Sequence, residues 1–182
     1  VKTILITGGT GGLGSVVVPR LERDHRCILL KRDPVVRTED APIHALVMLA
    51  GGFAAGNAWQ DMIEANVMSA ARALDAALPH LADGGRIVAI SSAATMSHPA
   101  GLAAYTASKS AVNAIVKTLA NELAPRRITA NALMPTALDT PAMRESMPRD
   151  QLVPLERVAE WIAFLLSDKG DGVTGQLITL SP

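Results

Sequence analysis

An apolar, β-branched run from Val1 to Thr7 (VKTILIT) breaks into Gly8-Gly9-Thr10-Gly11-Gly12-Leu13-Gly14, five glycines in seven residues. The run reads as a buried strand, and the segment from about Leu13 to Arg23 as a helix. Glycine loses more backbone freedom on folding than any other residue. So many of them between a strand and a helix imply that something must approach this backbone closely. A helix N-terminus offers free N–H groups and partial positive charge, which suits an anion. Glycines let phosphate oxygens reach that end and let the helix pack near the strand. Gly9, Gly11 and Gly14 fit G-x-G-x-x-G, while Thr7, Gly8, Gly12 and Gly14 fit T-G-x-x-x-G-x-G. No Gly-Lys-Ser/Thr closes the turn, which excludes a Walker A loop. The competing reading is a glycine-rich turn that serves structure alone.

The remaining chain alternates strand and helix. Strands are expected at Cys27–Leu30, Ala45–Ala50, Arg86–Ile90, Ile128–Leu133 and Gln176–Leu180. Helices are expected at Trp59–Leu81, Ala103–Leu123 and Arg157–Leu166, and Pro19 should kink or shorten the first one. Several strands are apolar on both faces. That pattern predicts a doubly wound α/β fold, a parallel sheet with helices on both faces, in one domain spanning 1–182. Asp33–Pro42 and Thr140–Pro154 are the polar, Pro-punctuated connections.

Composition narrows the partners. The formal net charge is zero and aromatic residues make up 3%, which argues against a nucleic-acid surface or base-stacking platform. No apolar stretch approaches the ~20 residues of a membrane span, and no secretory leader is expected. The single Cys27 allows no internal disulfide and reads as a small buried hydrophobe, consistent with a reduced, cytoplasmic setting. His25, His44, His80 and His98 lack metal-ligand spacing, so no metal site is expected.

A second constellation lies mid-chain. Tyr105 and Lys109 stand at i and i+4, on one helix face. An ammonium beside a phenol favours the phenolate, which would make Tyr105 a general acid/base. Ser92 ends the RIVAI strand 13 residues before Tyr105, with Ser91 as its competitor. The glycine turn, Gly51-Gly52, Ser92 and the Pro135–Thr140 segment all fall at strand carboxyl ends. In an open α/β sheet these ends border the ligand crevice.

With T-G-x-x-x-G-x-G, Ser92 and Y-x-x-x-K in this order and spacing, the chain resembles the short-chain dehydrogenase/reductase family over nearly its whole length. The resemblance implies catalytic residues Asn66, Ser92, Tyr105 and Lys109. Tyr105 would donate the proton, Ser92 would polarise the substrate oxygen, Lys109 would lower the phenol pKa and hold the nicotinamide ribose, and Asn66 would anchor a water leading from Lys109 to solvent. Asn66 is otherwise a solvated mid-helix residue. The resemblance also implies a nicotinamide dinucleotide held by Thr7, Gly8, Gly9, Thr10, Gly11, Gly12, Leu13 and Gly14, by Ala50 and Gly51, by Tyr105 and Lys109, and by Pro135, Leu138 and Thr140. Lys31 or Arg32 falls where an acidic residue would favour NAD, so the reading points to NADP(H) over NAD(H).

The sequence also departs from the family pattern. Between Asp33 and Ala45 the family has a helix, a strand and another helix, and only PVVRTEDAPIH stands here. The fold is therefore shortened between the family's second and fourth strands, and the usual adenine-binding Asp has no counterpart except Asp40. The Gly52–Asn66 connection is short as well. The family's N-A-G reads Leu49-Ala50-Gly51, and its P-G reads Pro135-Thr136. Met143 and Met147 would form an apolar lid or simply pack. A small or medium carbonyl or alcohol compound is the expected substrate. A homodimer or homotetramer paired through the long helices is the expected assembly. The alternatives are a non-catalytic NAD(P)-binding or regulatory protein on the same fold, and an epimerase or dehydratase, which the end of the chain at Pro182 disfavours.

Overall fold

Strands that are apolar on both faces need cover on both faces, and the chain provides it. A computed structural model describes residues 1–182. In chain order it contains β1 (Lys2–Thr7), α1 (Gly14–Leu21), β2 (His25–Leu30), β3 (Ile43–Met48) and α2 (Trp59–Met62). α2 runs through a π-helical stretch (Ile63–Met68) into α3 (Ser69–Ala77). Then follow β4 (Leu81–Ile90), α4 (Ala94–Ser97), α5 (Ala103–Glu122), β5 (Thr129–Pro135), α6 (Pro141–Arg144), α7 (Leu155–Leu166) and β6 (Leu177–Leu180).

The strands form one six-stranded parallel sheet in the order β2-β1-β3-β4-β5-β6. Side chains divide with period two. Leu5, Leu46, Met48, Ile87, Ala89, Ala130 and Ala132 join α3 and α5 in one core. Ile4, Ile6, Ala45, Val47, Val88, Ile90 and Leu133 join α1 and α7 in the other. β5 is buried at all seven positions. The doubly wound architecture expected from the sequence is the observed one.

Two expectations need correction. Leu81 belongs to β4, and the helix from Trp59 is not uniform: its middle widens into the π-helical stretch around Asn66. As the short Asp33–Ala45 connection implies, the sheet has no strand outside β2, which is left as an edge. Asp40 does not stand in for an adenine-binding acid. Its Oδ1 pairs with Arg26 Nη2 at 2.7 Å, and Arg26 lies opposite Thr3 near the start of β1. That places Asp40 at the amino edge of the parallel sheet, away from the strand carboxyl ends. α1 does end early, two residues after Pro19. Cys27 is half-buried against the α1/α7 core, and burial pushes its thiol up to about 11, so it is inert at neutral pH.

Candidate functional site

The glycine turn has the geometry its composition demands. Gly8 adopts φ +67°, and a Cβ there would meet Ala50 N at 2.6 Å. A Cβ on Gly14 would strike the Gly8 and Gly9 carbonyls. The Gly11 N–H donates to Gly8 O (3.0 Å), closing the turn, and Thr10, Gly11 and Gly12 are exposed at its tip. Thr7 Oγ1 accepts the Ala50 N–H at 3.2 Å and so ties the end of β1 to the end of β3. α1 opens directly behind, at Gly14. Two of these glycines are obligatory by backbone contact, and they leave an open, donor-rich helix start. A dinucleotide pyrophosphate fits this cradle.

A crevice of about 570 Å³ lies at the strand carboxyl ends. Among the expected residues, Leu13, Gly51, Ser92, Tyr105, Lys109, Pro135, Leu138 and Thr140 line it. Gly12 faces the same mouth, where a Cβ would lie 3.8 Å from Thr140 Cγ2. Gly9 packs on Leu29 and Val18 behind the turn. Lys31 and Arg32 sit outside the crevice at the end of β2. Arg32 Nη2 meets Glu64 Oε1 at 3.2 Å, and Arg72 Nη2 meets the same oxygen at 2.8 Å.

A buried polar network holds the reacting side of the crevice. Asn66 Nδ2 donates to Gly52 O (3.1 Å) and to Ser108 Oγ (2.9 Å), and its Oδ1 accepts the Gly52 N–H (2.9 Å). Ser108 Oγ in turn donates to Tyr105 O at 2.7 Å. Asn66, inside the π-helical stretch, thus clamps the β3 exit loop to α5. Gly51 is small for the same reason: a Cβ would lie 2.7 Å from Asn66 Oδ1 and 3.0 Å from Lys109 Nζ. Ser91 Oγ donates to Lys109 O (3.2 Å), whereas Ser92 Oγ accepts the Ala94 N–H (3.2 Å) and lines the crevice with Tyr105.

The electrostatics differ from the simple i,i+4 expectation. Lys109 Nζ donates to Ile90 O at 3.0 Å, and burial lowers its pKa to about 8. The Tyr105 phenol is pushed up by burial, with Ser92 pulling the other way. The Lys109 amine is bonded to the end of β4, and burial, not the ammonium, dominates the Tyr105 pKa.

Some site residues carry little local signal. Phe53, in the crevice wall, meets Tyr105 with ring centroids 4.9 Å apart at 75°. Asp139 is buried in the loop after β5 and takes Arg144 Nε at 2.5 Å and Arg149 Nε at 3.0 Å. The two arginines hold its carboxyl below the usual range. Met143 and Met147 both line the crevice, which favours the lid reading for that pair. The adjacency of Phe53 to Gly51-Gly52 was the one sequence cue for its position.

A parallel, doubly wound sheet with a glycine cradle and a Ser92–Tyr105–Lys109 crevice defines the class of nucleotide-binding α/β proteins. Comparison with known proteins places the chain within it. A family model described as enoyl-(acyl carrier protein) reductase matches residues 54–181. An uncharacterized oxidoreductase of Methylorubrum extorquens is 33% identical over 68% of this chain, a match spanning only 55% of that protein. The cyclic-di-GMP-binding biofilm dispersal mediator protein of Escherichia coli (strain K12) is 29% identical, with 98% of this chain and 95% of that protein covered. That alignment runs over 225 residues against the 182 of this chain, so the relative carries segments absent here. A blue fluorescent protein from a metagenomic library, solved in complex with NADPH, superposes with a TM-score of 0.86 at 26% identity, covering 98% of this chain and 96% of that one. The chain belongs to the short-chain dehydrogenase/reductase family of oxidoreductases, with that family's NAD(P)-binding fold. No helix is long and apolar enough to cross a membrane.

Proposed function

We propose that this protein is an NAD(P)-dependent oxidoreductase acting on a small or medium carbonyl or alcohol compound, with Ser92, Tyr105 and Lys109 as catalytic residues and Asn66 as their positioning residue. The observation that carries the reading is the convergence of Ser92, Tyr105 and Lys109 on the crevice that the glycine cradle also borders. The cradle residues Thr7 to Gly14 would hold the pyrophosphate, with Ala50 and Gly51 beside it. Pro135, Leu138 and Thr140 would border the nicotinamide. Lys31 and Arg32 would receive a 2′-phosphate, which favours NADP(H). When bound, the reduced nicotinamide supplies a hydride that forms the new C–H bond as the C=O π pair moves to oxygen.

The chain's own groups do the rest. Ser92 Oγ donates to the substrate oxygen and polarises it. Tyr105 Oη delivers its proton to the same oxygen as charge builds there. Lys109, whose buried amine donates to Ile90 O beside Gly51, would hold the nicotinamide ribose. Asn66 keeps the floor of the crevice in place through Gly52 and Ser108. We place the protein in the cytoplasm as a homodimer or homotetramer paired through α5 and the Trp59–Ala77 helix.

Fluorescence titration with NADPH and NADH tests the cofactor reading, with tighter NADPH binding expected. The Tyr105→Phe variant should keep that binding and lose about 10²–10⁴-fold in turnover. Failure of both cofactors to bind at millimolar concentration would refute the reading. A second reading, a nucleotide-binding regulator without turnover, draws on the name of the Escherichia coli relative matched over nearly its full length. NADPH consumption with any carbonyl compound would rule it out.

A further inference from the structure

We propose that Phe53 is a specificity-determining residue, and that the crevice takes an uncharged aryl carbonyl compound whose ring packs on Phe53. This rests on the oxidoreductase reading of the same crevice.

Phe53 is 62% exposed and lines the crevice. Its loop is fixed on both sides. Before it, the Gly52 backbone is bonded twice to the buried Asn66 side chain. After it, the Gly56 N–H donates to Gly101 O at 2.8 Å, tying the loop to the segment that leads into α5. Gly56 has φ +73°, so the loop turns back there in a conformation glycine allows cheaply. The short Gly52–Asn66 connection thus leaves the ring little freedom. It stands nearly at right angles to Tyr105, 4.9 Å between centroids, with most of its surface uncovered.

The rest of the wall fits the same ligand. Leu102, Pro99, Met143 and Met147 are apolar, and methionine adapts well to an aromatic surface. Lys109 is the one charged residue lining the crevice, and its amine is buried and committed to Ile90 O. The two lid cations, Arg144 and Arg149, are both drawn onto Asp139. Neither arginine lines the crevice, and Lys109, the one charged residue that does, is committed to Ile90 O, so burying a substrate carboxylate here would be costly.

The test uses three ketones that differ one feature at a time. These are 1-phenyl-1,2-propanedione, benzoylformate (the same aryl ketone with a carboxylate in place of the acetyl group) and 2,3-butanedione (the dione without the ring). Binding to the full chain is read by saturation-transfer NMR with NADP⁺ present, which cannot reduce them. The phenyl dione should bind at least about 10-fold more tightly than either of the others. Phe53→Ala should weaken its binding about 10-fold, while Phe53→Tyr, which keeps the ring, should not. In parallel NADPH-oxidation assays, Phe53→Ala should raise KM for the phenyl dione with kcat nearly held, the mark of lost uniform binding. Equal binding of the three ketones, an unaltered Phe53→Ala, or no binding of the phenyl dione would overturn the proposal. Ring-dependent binding without NADPH oxidation would instead refute the reductase reading and leave the Phe53 assignment standing.

Discussion

The β4–α5 side of the crevice and the β2 edge are built to different standards. Around β4 and α5, Asn66, Ser108 and Lys109 are buried and each is tied to backbone or to another side chain. At the β2 edge, Lys31 and Arg32 stand in solvent, Leu29 is exposed, and Arg32 meets Glu64 in a surface ion pair. Proton and hydride transfer require reacting atoms positioned closely, and a buried, satisfied network supplies that. Holding the charged, distant end of a dinucleotide requires only a cation within reach. The first region lies at the middle of the sheet, and the second ends in the uncovered edge of β2.

The largest effect that would sharpen this contrast concerns Lys109. An unfolded lysine holds its proton up to its ordinary value of 10.5, whereas the buried amine releases it at about 8. Between these values the unfolded chain binds more protons, so stability rises with pH through that window. Denaturant unfolding should show Lys109 contributing a gain of roughly 2–3 kcal/mol from pH 8 to 10. Lys109→Met should lose that pH dependence. The raised Tyr105 pKa acts in the opposite sense, removing stability only as pH climbs above 10. A wild-type curve that is flat or falling from pH 8 to 10, parallel to that of Lys109→Met, would mean that the amine is not buried as described.

A smaller effect is expected at Asn66. Asn66→Ala strips the Gly52 amide and carbonyl and the Ser108 hydroxyl of a buried partner, and should cost about 1–3 kcal/mol. Its thermal midpoint should drop by several degrees, and catalytic rate should fall with it. If both stay at wild-type values, the clamp between the β3 exit loop and α5 is dispensable.

The smallest effect should come from the other region. Arg32→Ala removes an exposed ion pair, and thermal stability should hardly move. It should weaken NADPH binding while leaving NADH binding unchanged, because only the former carries the 2′-phosphate. A clear loss of stability would break the comparison by showing that the edge is as tightly built as the centre. Equal losses for both cofactors would remove Arg32 from the phosphate-binding role.

Much of this was legible along the chain. The strand–glycine–helix unit, the sheet type and the Tyr105/Lys109 pairing are local patterns, in which period two, period 3.6 and i,i+4 spacing have fixed geometric consequences. The missing outer strand could also be read directly, from the brevity of the Asp33–Ala45 connection. The Asp40 reading failed because sequence distance says nothing about which end of a parallel strand a residue reaches. The direction of the Lys109 amine and the bend at Asn66 were equally out of reach, since both depend on partners 19 and 42 residues away.

The sequence by itself determined that a doubly wound sheet would form, that its first turn had to be free of side chains, and that a phenol and an amine would share one helix face. Apolar periodicity and glycine's steric latitude act within a few residues, so they need no tertiary partner to be read. Only the tertiary structure decided that Asn66 braces Gly52 and Ser108, that Asp139 gathers the lid arginines, and that Phe53 stands against Tyr105. Those contacts exist because strand order and burial bring distant segments together, and the low dielectric there gives each polar pairing its consequence.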